Sequence, residues 1–376
     1  MARIAVTRER RDGETRVAVT PDTIKKLAGS GYSVVVEAGA GHGASIGDGD
    51  YTAAGADLAG SVEAALKGAD VLLKVRGPSP EEIKALKSEA IVVGLLNPHQ
   101  DRPLLEALAK KNVTAFAMEF VPRITRAQVM DALSSQANLA GYRAVIEGAE
   151  AYGRVLPMMM TAAGTVAPAK IFVMGAGVAG LQAIATARRL GAVVTATDVR
   201  PAAKEQVESL GAKFVAVEDE EFKAAETAAG YAKEMSAEYR AKQAALVAEH
   251  IKRQDIVITT ALIPGRPAPK LVSAEHVASM RRGSVIVDLA VEQGGNVEGS
   301  RPGETAEVGG VRIVGISNMP GRIAADASAL YARNLVAFAG LLLNNEGQLE
   351  PDFEDEILKA ALVVKDGAIV HPALKG

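Results

Sequence analysis

The sequence predicts an α/β protein of two doubly wound, Rossmann-like parallel-sheet domains joined by two long helices. Three observations carry that expectation. Short β-branched runs alternate with helical patterns from the N-terminus onward; the alternation stops at a helical stretch at 125–152 and then starts again; a second long helical stretch, 322–344, follows the last run. Strands interleaved with amphipathic helices build a parallel sheet covered by those helices.

In the first half the alternation reads RIAV, PDTIKKLAGSG, SVVVEAG, ADVLLKV, AIVVGLL and VTAFAMEFV. The helix starting at residue 21 has its own boundary signals: Thr20 to cap free amides, Pro21 at the first helical position, and Gly29 and Gly31 where the chain leaves. In the second half the order is KIFVMGAG, VAGLQAIATARRLG, AVVTATD, KEQVESLG, AKFVAV, DIVITTAL, SVIVDLA and VRIVGIS. The two long helical stretches are expected to form the seam, with the C-terminal residues returning to the first unit. The expected division is therefore 1–130 with 325–376, and 131–324.

Composition narrows the function. The chain has 376 residues, too many for one ordinary domain. Its 48% apolar and 23% charged residues are those of a soluble globular protein. A net charge of -3 without a long basic run argues against nucleic acid as a partner. The absence of cysteine excludes disulfides, thiolate metal sites and a cysteine nucleophile. The opening MARIAVTRERRDGETR turns charged too soon for a signal-peptide core. The apolar segment LVAFAGLLL from Leu335 is well short of the ~18 to 20 residues that span a bilayer, so no membrane crossing is expected. His42, His99, His250, His276 and His371 show no pairing at metal-ligand spacing; they read as surface histidines, and no metal site is expected.

KIFVMGAGVAG places Gly175, Gly177 and Gly180 between an apolar run and a helical one. Each glycine of such a fingerprint has its own job: a tight turn, close backbone approach to a pyrophosphate, and close packing of helix on strand. The anion would lie over the helix N-terminus, at Val178 and Ala179. The next run ends at Asp198, eighteen residues after Gly180 (198 − 180), where a carboxylate can accept hydrogen bonds from an adenosine ribose and repel a 2′-phosphate. NAD(H) is therefore preferred over NADP(H), with neighbouring Arg200 the feature that favours the reverse. The earlier SVVVEAGAGHGAS, with Gly39, Gly41 and Gly43, has G-x-G-x-G spacing and no immediate helix start, and reads as a flexible loop.

Three further stretches have a bland and a functional reading. MMMTAAGTVAP from Met158 lacks accompanying Cys or His and reads as adaptable apolar packing in an interface or core rather than as a soft-ligand site. Residues 224–243, with Gly230 and Tyr231, suit either a solvated helix or a lid over the dinucleotide. ITTALIPGRPAP puts Ala261 and Leu262 at a strand C-terminus, where they either face the ligand crevice or simply pack. A fourth, PRITRAQVMDALSSQANLAGYRA, is polar far from the fingerprint; read as one helix, Gln128, Asp131 and Ser135 share a face, with Met130, Leu133, Ala137 and Ala144 able to supply an apolar face.

RITRAQVMDALSSQANLAGYRAVIEGA, PMMMTAAGTVAPAKIFVMGAGVAGLQAIATARRLGA, ATDVR, KEQVESLG, GYAKEM and ITTALIPGRPAP together resemble the NAD(H)-binding subunits of proton-translocating NAD(P)+ transhydrogenases, in the alanine dehydrogenase/transhydrogenase superfamily. The resemblance covers nearly the whole chain. It implies a homodimer, cytoplasmic and peripheral on the cytoplasmic face of the inner membrane, that works with a transmembrane proton-channel subunit and an NADP(H)-binding subunit. It implies direct hydride passage between NADH on this chain and NADP+ on the partner. It assigns Arg123, Gln128, Asp131 and Ser134 to the nicotinamide, with Asp131 orienting Arg123 and Gln128. It assigns Val178, Asp198, Val199, Arg200, Gly230, Gln243 and Leu262 to cofactor contact, with Tyr231 on a mobile lid. The alternative within the superfamily is a soluble alanine dehydrogenase, whose pyruvate-binding Arg and Lys are matched by Arg16 and Lys74. Against it, Leu95 stands where that family places its catalytic His, and Glu292 where it usually has Asp. Reducing an imine needs a proton donor that leucine cannot supply.

Overall fold

A computed structural model of the chain describes residues 1–223, 236–263 and 265–375. These divide into two units, 1–136 with 320–376, and 137–319. The first is built on β1 (Ala2–Val6), β2 (Tyr32–Glu37), β3 (Asp57–Ala59), β4 (Val71–Arg76), β5 (Ile91–Leu95) and β6 (Thr114–Ala117). They run parallel in the order β6-β5-β4-β1-β2-β3, so the winding reverses between β1 and β4. Alternate side chains of a strand face opposite ways, and both faces are covered. Ile4, Val36, Leu73, Val93 and Phe116 pack with Tyr331, Leu335 and Phe338 of the helix Ala324–Ala339. Their neighbours Ala5, Val35, Leu72, Val92 and Ala115 pack with Leu66, Leu105 and Leu108.

The second unit starts within the helix Ala132–Tyr152, passes through a small hairpin, β7 (Met159–Thr161) and β8 (Gly164–Val166), and continues through β9 (Lys170–Met174), β10 (Val193–Thr197), β11 (Lys213–Phe214), β12 (Ile256–Thr259), β13 (Val285–Asp288), β14 (Glu304–Val308) and β15 (Val311–Gly315). The sheet order is β11-β10-β9-β12-β13-β15-β14, parallel except for β14. Ile171 and Val173 face Ala183, Ile184 and Ala187 of the helix Val178–Arg189; Phe172 and Met174 face Val247 and Ile251 of the helix Ala237–Ile251. The winding reverses between β9 and β12, which brings their C-terminal ends side by side. In an open α/β sheet that is where ligands bind. Finally β16 (Leu362–Lys365) and β17 (Ala368–Ile369) return to the first sheet, antiparallel on β6.

The structure corrects several sequence expectations. The stretch 125–152 is not one helix: a 3-10 helix Thr125–Met130 is followed by an α-helix Ala132–Tyr152, with Asp131 between them at ψ 83°. Asp131 terminates one and caps the other, since its Oδ1 accepts from the Ser134 N–H at 2.8 Å and its Oδ2 from the Ser134 hydroxyl at 2.6 Å. Gln128 and Ser135 therefore do not share one α-helical face. At residue 21 the expectation is kept: Thr20 is the N-cap, and Thr23 forms a capping box with it, its Oγ1 accepting from the Thr20 N–H at 2.8 Å. The Gly39–Gly43 turn is a packed corner rather than a flexible loop: a Cβ at Gly41 would lie 2.5 Å from the Tyr51 hydroxyl, and one at Gly43 2.5 Å from the Thr15 carbonyl oxygen. His250 is no surface residue but is half-buried against β10. The methionine run fills no core among the described residues; it is the exposed hairpin β7–β8.

Candidate functional site

The glycine loop leaves β9 at the reversal point. Gly175 sits at φ +106°, a conformation that L side chains rarely adopt, and a Cβ there would meet Thr260 Oγ1 at 2.5 Å. Thr260, directly after β12, donates from its hydroxyl to the Gly175 carbonyl at 3.0 Å and from its N–H to Met174 at 3.0 Å. A Cβ at Gly180 would overlap the Gly175 carbonyl oxygen. Both glycines are thus required by packing. Gly177 is different. It precedes the helix Val178–Arg189 with φ -75°, which any residue adopts, and a Cβ on it would meet nothing within 4 Å. Packing gives no reason for glycine at 177; a ligand that must approach the backbone closely does. Val178 and Ala179 form the first helical turn, with Val178 exposed.

The rim of this loop is set by β10. Asp198 Oδ2 accepts from the Ala176 N–H at 2.7 Å, while its Oδ1 accepts from the Arg200 N–H at 2.9 Å. The Arg200 guanidinium grips both oxygens, Nε on Oδ1 at 2.9 Å and Nη2 on Oδ2 at 3.0 Å, and this raises its pKa. One carboxylate therefore shapes the glycine loop and parks a cation at the end of β10. Val199 between them is exposed. Gln243 joins the rim to the helix Ala237–Ile251: its Nε2 donates to Thr197 Oγ1 at 3.1 Å and its Oε1 accepts from the Val217 N–H at 2.9 Å. Across the reversal, Ala261 has both its N–H and its C=O held by Asn296, and Leu262 is exposed. Gly175, Gly177, Val178, Ala179, Gly180, Asp198, Val199, Arg200, Gln243, Ala261 and Leu262 all lie on the C-terminal ends of the second sheet or on the segments that follow them. Gly230 and Tyr231 lie outside the described residues. Sequence reading missed Thr260 and Asn296, each an ordinary polar residue whose partner is distant in the chain.

In the first unit, Arg123 and Gln128 are exposed, while Asp131 and Ser134 are half-buried and bonded to each other. The side-chain hydrogen bonds of Asp131 go to Ser134 rather than to Arg123 or Gln128. Arg126 pairs with Asp355 at 2.8 Å.

Arg16 and Lys74 lie elsewhere in that unit, both buried. Glu14 clasps the Arg16 guanidinium at 2.8 and 2.7 Å, and Arg16 Nη1 donates to Gln136 Oε1 at 2.8 Å. Burial would push the Glu14 carboxyl up, but Arg16 and Arg76 hold it down to about 2. Lys74 Nζ lies 3.0 Å from Glu82 and 3.3 Å from Glu9. Both cations are thus neutralised by the chain's own carboxylates. Leu95 is buried at the end of β5, and His99 sets its ring edge against Phe120, centroids 5.2 Å apart.

Comparison with known proteins agrees with this architecture. The family model for the alanine dehydrogenase/PNT N-terminal domain matches residues 5–140 and that for the C-terminal domain residues 144–372. An NAD(P) transhydrogenase subunit alpha chain of Rhodospirillum rubrum is 56% identical over the whole of this chain and 99% of its own length. The crystal structure of transhydrogenase from Sinorhizobium meliloti superposes with a TM-score of 0.89 at 58% identity, covering 98% of this chain and 100% of that one. The alanine dehydrogenase of Halomonas elongata is 30% identical over 99% of this chain and 95% of its own. The chain belongs to the alanine dehydrogenase/PNT family, and within it lies much nearer these transhydrogenase chains than the alanine dehydrogenase.

Proposed function

We propose that this chain is the NAD(H)-binding component of a proton-translocating transhydrogenase, presenting NADH so that hydride passes directly to NADP+ held by a partner subunit. The observation that carries the reading is Gly177: a glycine that packing does not need, at the mouth of a helix whose free N–H groups suit a pyrophosphate. Gly175 to Gly180 would hold the pyrophosphate, Asp198 to Arg200 with Gln243 the adenosine end, and Ala261 and Leu262 an apolar face of the cofactor. The nicotinamide would supply and accept the hydride. The chain's role is to orient and to keep water out, since direct transfer between two rings needs near-attack contact and no acid or base. Arg123, Gln128, Asp131 and Ser134 would position that end; the bond from Ser134 to Asp131 already fixes two of the four. The absence of a proton donor at Leu95 tells against alanine chemistry, whereas Arg16 and Lys74 do not separate the two readings.

The same reading makes the chain one component of an assembly: a homodimer, with a transmembrane proton channel and the NADP(H) site on separate subunits, docked at the cytoplasmic face of the inner membrane. No helix among the described residues is long and apolar enough to cross a membrane, so this chain's place in the assembly would be peripheral. The test is to mix the purified chain with an NADP(H)-binding transhydrogenase component and follow reduction of an NADP+ analogue by NADH, with alanine and NAD+ as a parallel assay. Gln128→Asn should slow hydride transfer by ~10-fold or more while changing NADH affinity much less, a misplacement cost of the kind positioning residues show. Equal losses in rate and affinity would contradict the positioning role, and turnover of alanine would overturn the transhydrogenase reading.

A further inference from the structure

The helix Ala132–Tyr152 holds two buried glycines on one face, Gly141 and Gly148. Glycine inside a helix forfeits stability that alanine would supply, because the unfolded chain has more freedom to lose. What packs against each must make up for that loss. At Gly148 the neighbours are side chains: a Cβ would lie 3.1 Å from Ile256 Cγ2, at the start of β12, and 3.3 Å from Val287 Cγ2 on β13. At Gly141 they are backbone. A Cβ there would lie 2.0 Å from the Ala179 carbonyl oxygen and 2.8 Å from its carbon, closer than real Cβ atoms come.

Ala179 belongs to the first turn of the helix Val178–Arg189, at the mouth of the glycine loop. Its carbonyl forms one planar peptide unit with the Gly180 N–H, so the two ends of that unit move together. The Leu181 N–H donates to the Gly177 carbonyl at 2.8 Å, which leaves the N–H groups of Val178, Ala179 and Gly180 as the free end of the helix. Gly141 thus touches the far end of a peptide whose N–H is offered to an anion. The turn has no slack on its other side, where a Cβ at Gly180 would overlap the Gly175 carbonyl oxygen, itself held by Thr260. Backing the helix Ala132–Tyr152 away would pull Ala144 and Val145, both fully buried, out of the core they share with Val173 and Ala183. It would also break the bond from Asn138 Nδ2 to Gln182 Oε1 at 3.3 Å.

We propose that Gly141 is a positioning residue for the cofactor's pyrophosphate, a further glycine of the fingerprint that lies outside the motif. The proposal rests on the NAD(H) reading above and adds to it what supports the anion site from behind. The loop Gly175–Gly180 shapes the front of the site, and Gly141 sets how deep the Ala179–Gly180 peptide sits. A methyl group at 141 needs a shift of about 1 Å to clear the Ala179 oxygen, enough to spoil a hydrogen bond from the Gly180 N–H to a phosphate oxygen.

The test is fluorescence titration of the full chain with NADH, and competition by ADP-ribose, which keeps the pyrophosphate and lacks the nicotinamide. Gly141→Ala should weaken both ligands by the same factor, about ten-fold or more, the scale of one charge-assisted hydrogen bond. Gly148→Ala adds the same methyl group to the same helix away from the loop, and should leave both affinities within about two-fold whatever it does to the melting temperature. Unchanged affinity in Gly141→Ala, a loss confined to NADH, or an equal loss in Gly148→Ala would overturn the proposal while leaving the cofactor reading intact. Should Gly141→Ala not fold, the unaltered chain labelled with 15N at glycine decides. Its Gly180 amide resonance should shift when ADP-ribose is added, and a resonance that stays in place while ADP-ribose binds would overturn the proposal. An unaltered chain that binds neither ligand would overturn both.

Discussion

Gly175, Gly177 and Gly180 are one residue type in one motif, yet only two are glycine for reasons of packing. A methyl group at 180 collides with the Gly175 carbonyl, and one at 175 is strained at φ +106°; one at 177 meets nothing within 4 Å. Gly177→Ala should therefore leave thermal stability within about 0.5 kcal/mol of the unaltered protein, as surface substitutions do, while weakening NADH several-fold. Melting curves and fluorescence titration check the two halves; a large loss of stability with normal affinity would remove the main support for the cofactor site. Asp198 makes a second residue-scale prediction. Its carboxylate holds Arg200 in a two-pronged grip, so Asp198→Ala frees a guanidinium beside the ribose position. NADH should weaken and the NADPH to NADH affinity ratio should rise by ~10-fold, the scale of one charge-assisted contact. If the ratio does not move, Asp198 has no role in cofactor choice. The spacing of the glycines and the carboxylate was legible in the sequence because it is local. That Asp198 also accepts from Ala176, and that Asp131 caps a helix instead of orienting Arg123, was not legible, because each side chain had two plausible partners and only geometry selects one.

At the scale of elements, the central strands were legible for a physical reason: buried on both faces, they read as unbroken apolar runs such as IVVGL and KIFVM. The antiparallel additions were not. ETAEV in β14 is exposed along most of its length, and β16 and β17 follow the long helix with little pattern of their own, so neither carries a clear signal of where it pairs. The helix Ala237–Ile251 shows how an element is fastened by one residue that sequence reading left on the surface. His250 Nε2 lies 2.8 Å from the Thr195 hydroxyl on β10, and its ring meets Phe172 edge-on at 4.7 Å. Burial lowers its pKa, reinforced by Lys213, Arg253 and Lys170. A histidine whose folded pKa is depressed favours the fold when neutral, so its contribution is complete above the unfolded value of about 6.5 and fades as pH falls through the folded value. Unfolding midpoints measured from pH 7 to pH 5 should therefore fall more steeply for the unaltered chain than for His250→Gln, which still offers a hydrogen bond but does not titrate. Equal slopes would mean that His250 is not what couples this helix to pH.

At the scale of the whole molecule, one feature of the second unit makes little sense for a chain on its own. The hairpin β7–β8 has strands of three residues each, and two-stranded hairpins of this size are marginal in water without something to pack on. Its base is pinned: Ala169 N–H donates to the Leu156 carbonyl at 2.9 Å, and Gly191, at φ +86°, leaves room for Pro157. Its length is nonetheless exposed, with Met158 58%, Met159 47%, Met160 75% and Val166 41% accessible. Clustered apolar side chains of this kind mark an interaction surface, and unbranched methionines adapt readily to a partner. A second copy of the chain is the occupant that the homodimer reading supplies. Replacing Met158 and Met160 together by Glu puts two charges on that surface without touching either core. The variant should keep its secondary structure and melt within about 1 kcal/mol of the monomeric fold's own stability, since neither side chain is buried within the chain. Its self-association should weaken by ~100-fold or more, because each charge must lose its water when the surface is covered. Sedimentation velocity over a range of protein concentrations measures the shift directly: an unaltered chain that sediments as a dimer beside a double variant that sediments as a monomer supports the hairpin as the dimer contact, and a variant that remains dimeric at the same concentrations moves that contact elsewhere on the chain.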